Sequence, residues 1–225
     1  MRAVFVYGVC ALLFGGLALA ALAEDVQPPW WRGQVSTTSQ VWEFSTPQEN
    51  PIPPDGPARG GQPPLPSTNI VVEAGPNEPW NHWLEMDHPY EYHSYVGLGV
   101  WPLSGYMDVT VDNHNPPNEK KWVWLQLTWR PQDPGEVPIL TGFDPAPVAP
   151  PLLIAETPIG PDWRESTYFW EIRPNPVDER FGITGTINVD EVVIDTWCVP
   201  EPGALALLAV GGLCVAGLAW HRWRK

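Results

Sequence analysis

Hydrophobic residues in the middle of this chain recur at every second position, the period of a strand rather than a helix. The clearest case is residues 120–130, KKWVWLQLTWR. Odd positions carry Val123, Leu125, Leu127 and Trp129, while even positions carry Trp122, Trp124, Gln126 and Thr128. Side chains on a strand alternate between faces, so the odd set predicts the core face. Residues 34–44 also read as a strand, with Val35, Thr37, Val41 and Phe44 among β-formers. Further short strands are expected at 69–73, 96–103, 105–112, 152–156, 166–173 and 181–197, with a tight turn at Ser104 and Gly105. Within the last segment Ile183, Ile187 and Val189 alternate, and Asp190 and Glu191 predict a bulge or turn before 192–196.

Between these segments the chain is punctuated by proline and glycine. Residues 45–67 are dense in both and predict a long extended loop, and 131–151 are again turn-rich. Residues 75–94 predict a second long loop that holds Trp80, Trp83, Tyr90, Tyr92 and three histidines. No stretch of residues 24–199 carries a helical apolar period, and no internal repeat is visible. Many short strands separated by such turns predict an all-β domain, a β-sandwich of jelly-roll type, over residues 24–197.

Both ends depart from this pattern. Arg2 precedes an uncharged run, and Ala21, Leu22 and Ala23 follow with small residues at the cleavage-determining positions. Residues 1–23 therefore predict a secretory signal peptide, cleaved to leave Glu24 first. The alternative is an uncleaved membrane helix. At the other end, Pro200, Glu201 and Pro202 precede a second uncharged apolar run, 204–220, and the chain closes on His221, Arg222, Trp223, Arg224 and Lys225. Counted from Gly203 to Trp220 the run measures about 27 Å as a helix, enough to cross a hydrocarbon core. The terminal bases predict a cytoplasmic C-terminus, with the sandwich on the far side of the membrane.

The order of these three pieces, Val-Pro-Glu-Pro, one apolar span and an Arg-rich end, resembles the PEP-CTERM sorting signal. The resemblance covers residues 198–225. It implies that the chain is handled by an exosortase, a transpeptidase-like membrane enzyme of Gram-negative bacteria that make exopolysaccharide. It also implies that Pro200, Glu201 and Pro202 are the residues this enzyme reads. Export across the inner membrane, a transient anchor through the C-terminal helix, and a final place at the cell surface or in the extracellular matrix are the corresponding expectations. An ordinary tail anchor is the alternative. The segment leading into the motif, NVDEVVIDTWCVPEP, also resembles the closing strand of jelly-roll ectodomains.

Charge narrows the partners. The chain carries a net charge of −14. All of its acids except Glu201 lie within residues 24–199, whereas Arg2, Arg222, Arg224 and Lys225 lie outside. So acidic an exported part argues against nucleic acid and against anionic headgroups as ligands. Of three cysteines, Cys10 falls in the signal and Cys214 in the apolar run, leaving Cys198. No intramolecular disulfide is available to the domain, despite the oxidising compartment. Its core must hold it, and tryptophan dominates: all but Trp220 and Trp223 of the 14 lie between Trp30 and Trp197.

Candidate chemistry is sparse. His82, His88 and His93, near Glu85, Asp87 and Glu91, offer imidazoles and carboxylates to zinc or copper, but without the close pair usual in such sites. Asp178, Asp190 and Glu191 are candidates to help hold a structural calcium ion, which needs more oxygen ligands than these supply. No nucleophile elbow, phosphate loop or H-E-x-x-H motif occurs, and no pair of acids stands out. The expectation is a protein without enzymatic activity, metal site or cofactor. Trp122 and Trp124, on the strand face opposite the core set, are the candidates for stacking on sugar rings. A carbohydrate-binding module for exopolysaccharide or another glycan is therefore the alternative function.

Overall fold

The computed structural model describes residues 27–44, 51–73, 84–85, 99–103, 105–113 and 120–199. The predicted signal peptide, the apolar C-terminal helix, the turn at Ser104 and most of the 75–94 loop lie outside these. Eleven strands follow in order: β1 (Thr37–Trp42), β2 (Asn69–Glu73), β3 (Leu84–Glu85), β4 (Gly99–Leu103), β5 (Tyr106–Asp112), β6 (Lys120–Pro131), β7 (Ile139–Asp144), β8 (Leu152–Pro158), β9 (Arg164–Ile172), β10 (Asp178–Thr184) and β11 (Ile187–Val199). All pair antiparallel, in a seven-stranded sheet ordered β3-β4-β11-β6-β9-β8, with β1 also on β11, and a four-stranded sheet ordered β2-β5-β10-β7. Among the described residues there is no helix, and the all-β expectation holds.

Strand β11 organises the larger sheet. One edge pairs with β6 from Ile187 to Val199; the other is shared, Ile187–Val189 with β4 and Val192–Trp197 with β1. Its inward positions change parity along the way. Ile187 and Val189 face the core before Asp190, and Val192 and Ile194 face it afterwards. A two-residue period cannot do this without an extra residue, and the register against β6 shifts between Val189 and Glu191. The bulge expected at Asp190 and Glu191 is present.

The strand break in that region lies elsewhere. The sequence reads 181–197 as one segment interrupted at the acidic pair, but β10 ends at Thr184 and β11 begins at Ile187. Gly185, at φ 147°, carries the chain from the small sheet to the large one. Strand β7 is a second departure, since it lies inside the turn-rich 131–151 stretch. Its Gly142, at φ 63°, and the register shift opposite it in β10 hide its alternation.

The core lies between the sheets. Val123, Leu125, Leu127 and Trp129 of β6 meet Met107, Val109 and Val111 of β5 and Phe181 and Ile183 of β10 in one cluster, so the odd set does form the core face. Trp170 and Phe181 touch edge to face across it, 5.1 Å between centroids. The proline-rich 51–67 stretch has no strand, as expected, but is pinned at two points. Ile52 is fully buried and bridges Ile70, and Gly56 bridges Val41.

Candidate functional site

The outer face of the large sheet is the part of the fold that gathers the residues singled out by sequence. In β6 the even positions Trp122 and Trp124 point there, with Phe169 and Glu171 of β9 and Val193, Asp195 and Trp197 of β11 beside them. A sheet face this apolar needs a cover. The cover comes from residues 27–36, which cross the sheet before β1 begins. Pro29 and Trp31 are buried against it.

Trp197 is the centre of the resulting aromatic layer. Trp31 stacks on it at 5.9 Å and 27° between planes, while Trp30 and Trp122 meet it edge-on at 5.5 and 5.3 Å. Phe169 packs against both Trp122 and Trp124. Trp122 and Trp124 are each half-buried, and each indole N–H is engaged within the protein. Trp122 donates to Glu171 Oε2 at 2.9 Å, and Trp124 donates to the Gln27 carbonyl at 2.9 Å. Gln27 in turn donates its backbone N–H to Gln126 Oε1 at 2.8 Å. Trp30 is the indole left open, 76% exposed.

Charge fastens this cover at one point. Arg32 donates to both oxygens of Asp195, Nε to Oδ1 at 2.8 Å and Nη2 to Oδ2 at 2.5 Å. Asp195 is fully buried, and burial pushes its carboxyl up, opposed by Arg32. Glu171 is the opposite case. Burial acts upward there too, but hydrogen bonds from Trp122, Arg173 and Lys120 outweigh it and hold the carboxyl below its ordinary value. Lys120 also lies over the Trp122 ring, 4.9 Å from the centroid. Its neighbour Lys121 points the other way, into the sandwich, and is buried.

Beneath this layer β11 runs to its end. Cys198 is buried, its N–H bonded to the Ser36 carbonyl at 3.0 Å, and Val199 pairs with Lys120 as the last residue of the strand. The residues the sequence nominates for sorting, Pro200, Glu201 and Pro202, follow at once and lie outside the described residues. So do His82, His88 and His93. Asp178 pairs with Arg180 at 3.6 Å on β10, while Asp190 and Glu191 sit at the β11 bulge. Among the described residues no group of three or more His, Cys, Asp or Glu side chains is placed to hold a metal ion.

The N-terminal cover escapes sequence reasoning because the side chains it hydrogen-bonds in the sheet are 97 to 163 residues away. Its one local signal is the Trp30-Trp31 pair, too apolar for a solvated leader. Comparison with curated proteins and with solved structures finds no match. Residues 199–225 match the PEP-CTERM protein-sorting motif, which indicates an exported protein sorted by an exosortase to the cell envelope or surface of a Gram-negative bacterium.

Proposed function

We propose that the chain is the precursor of a non-enzymatic cell-surface or extracellular-matrix protein, whose jelly-roll-like sandwich is the delivered cargo. The observation that supports this reading is contiguity. The sorting match begins at Val199, and Val199 is the last residue of the central strand. No spacer separates domain from signal, so the cargo is brought to the membrane with its C-terminal strand at the enzyme. On this reading the signal peptide is removed near Ala23, the apolar 204–220 run anchors the precursor, and the exosortase acts at Pro200, Glu201 and Pro202. The mature protein is then an acidic domain in or near the cell's own polysaccharide. Replacing Pro200, Glu201 and Pro202 together by alanine tests it. The expected result is retention of the precursor in the inner membrane with the sandwich intact; unchanged delivery to the surface would refute the assignment.

A second reading has Trp30 in its favour. An indole that is 76% exposed, yet braced edge-on against Trp197, is a preformed surface for the apolar face of a sugar. In that case the domain is a carbohydrate-binding module, with Trp122 and Trp124 contributing at the margin of the cover. Glycan-array binding by the mature protein, lost in Trp30→Ala, Trp122→Ala or Trp124→Ala with folding preserved, supports it. An array without binding removes it.

A further inference from the structure

Three polar residues meet inside the sandwich at the end where β11 stops. Lys121 comes from β6, Glu179 from β10, and Asn113 follows the last residue of β5. Each sits in phase with the core positions of its own strand. Lys121 precedes Val123 and Leu125 by two and four, Glu179 precedes Phe181 and Ile183 likewise, and Asn113 follows Val111 and Val109. Glu179 is directly opposite Val111 in the small sheet, so Asn113 lies one inward position beyond that pair. Strand geometry therefore aims all three side chains at one point between the sheets.

The contacts there are direct. Lys121 Nζ touches both Asn113 Oδ1 and Glu179 Oε2, and the side chains of Lys121 and Glu179 are 0% and 2% exposed. The Asn113 amide is held from its other side. Its Nδ2 donates to the Pro176 carbonyl at 2.7 Å, and its backbone N–H donates to Val177 at 3.1 Å. A primary amine is thus locked against a half-buried carboxamide, with a carboxyl group alongside, and the amine and the carboxyl are both shut off from bulk water.

We propose that these residues form an intramolecular amide cross-link, Lys121 Nζ to Asn113 Cγ, with Glu179 as the proton carrier. In its neutral form the amine attacks Cγ, and the carbonyl electrons move onto Oδ1, where the protonated Glu179 carboxyl stabilises the developing charge. That carboxyl passes its proton to Oδ1. The carboxylate so formed takes a proton from Nζ and hands it to Nδ2, and the Oδ1 proton returns to Glu179 as the carbonyl re-forms. The Cγ–Nδ2 bond breaks, and ammonia leaves. One amine and one carboxamide become one secondary amide and ammonia, with no oxidant, reductant or co-reactant. The proton inventory of the site fits this start. Burial pushes Lys121 down against the pull of Glu179, and pushes Glu179 up against Lys121 and Asn113. Both shifts favour a neutral amine beside a neutral carboxyl, the pair the reaction requires.

The position suits a staple. The bond joins β5 of the small sheet to β6 of the large one, at the end of the sandwich from which the sorting signal emerges. A buried ion pair contributes little net stability compared with apolar packing. A covalent link constrains the unfolded chain, and this domain has no disulfide to do so.

Tryptic digestion of the full-length protein and tandem mass spectrometry of the fragments test the proposal. The expected product is one branched peptide joining the Asn113 segment to the Lys121 segment, lighter than their sum by one ammonia. Its fragment ions must place the link at those two residues, which excludes cyclisation of an asparagine or of the N-terminus. Glu179→Gln, close in shape, should give the two segments as separate linear peptides, as should Lys121→Met. Unlinked Asn113 and Lys121 in the folded wild-type protein would overturn the proposal without recourse to any variant. A branched peptide at wild-type yield in Glu179→Gln would overturn the role given to Glu179.

Discussion

Arg32 grips both carboxylate oxygens of Asp195 across 163 residues of sequence, joining the segment that covers the large sheet to strand β11. Asp195 is fully buried and the Arg32 side chain is 6% exposed. Removing one partner therefore strands a buried charge. Arg32→Ala is expected to destabilise the domain by about 3–5 kcal/mol. Chemical denaturation at neutral pH checks this. Replacing both residues by apolar ones of similar volume should recover most of the loss, since the pair gains little net energy over packing.

Trp197 and Trp30 touch each other but should differ sharply in weight. Trp197 supports Trp30, Trp31 and Trp122, and its removal opens the layer between sheet and cover. Because Trp197 is half-buried, Trp197→Ala should cost about 2–3 kcal/mol, somewhat below the figure for a fully buried tryptophan. Trp30→Ala removes one edge contact from an exposed ring and should cost about 1 kcal/mol or less. Paired denaturation curves measure the difference; equal losses would contradict the layer described.

Glu171 sets part of the acid limb of stability. Hydrogen bonds from Trp122, Arg173 and Lys120 hold its folded value below the ordinary 4.5, so the unfolded chain takes up its proton first as pH falls. In the window between 4.5 and the depressed folded value, the unfolded state binds more protons and stability declines with falling pH. Glu171→Gln should flatten that limb in a plot of Tm against pH. Asp195 and Glu179 are pushed upward by burial and carry the opposite sign, favouring the folded state as they protonate. An unchanged acid limb in the glutamine variant would contradict the role of Glu171.

Tyr106 lies across Gly182 in the small sheet. A Cβ at Gly182 would come within 2.0 Å of Tyr106 Cε2, and one at Gly142 within 2.6 Å of its Oη. Gly182→Ala must displace the ring and is expected to cost about 1–3 kcal/mol. Tyr106→Ala introduced with it should relieve part of that cost, a coupling that a double-mutant cycle reads directly.

What the sequence made legible follows from parity. The alternation in KKWVWLQLTWR placed Val123, Leu125, Leu127 and Trp129 in the core. The change from Ile187 and Val189 to Val192 and Ile194 demanded the bulge at Asp190 and Glu191. The same parity puts Lys121 on the core face, but a lysine next to another lysine at a strand start reads as solvated. Only the opposing sheet, with Glu179 of β10 and Asn113 beyond β5 in reach, gives its burial a reason. Strand β7 was hidden by its glycine and flanking prolines, because it pairs through the backbone while its side chains stay largely exposed. The N-terminal cover was hidden by distance: nothing near Gln27 or Arg32 in sequence announces Trp124 or Asp195.

The intact mass of the protein from surface and medium fractions, in a host with and without its exosortase, tests the central claim most directly. A C-terminus within or beside Pro200, Glu201 and Pro202 that disappears when the enzyme is deleted is the predicted result. A chain that keeps Lys225 and stays in the membrane under both conditions would contradict the sorting account and leave a plain tail anchor in its place.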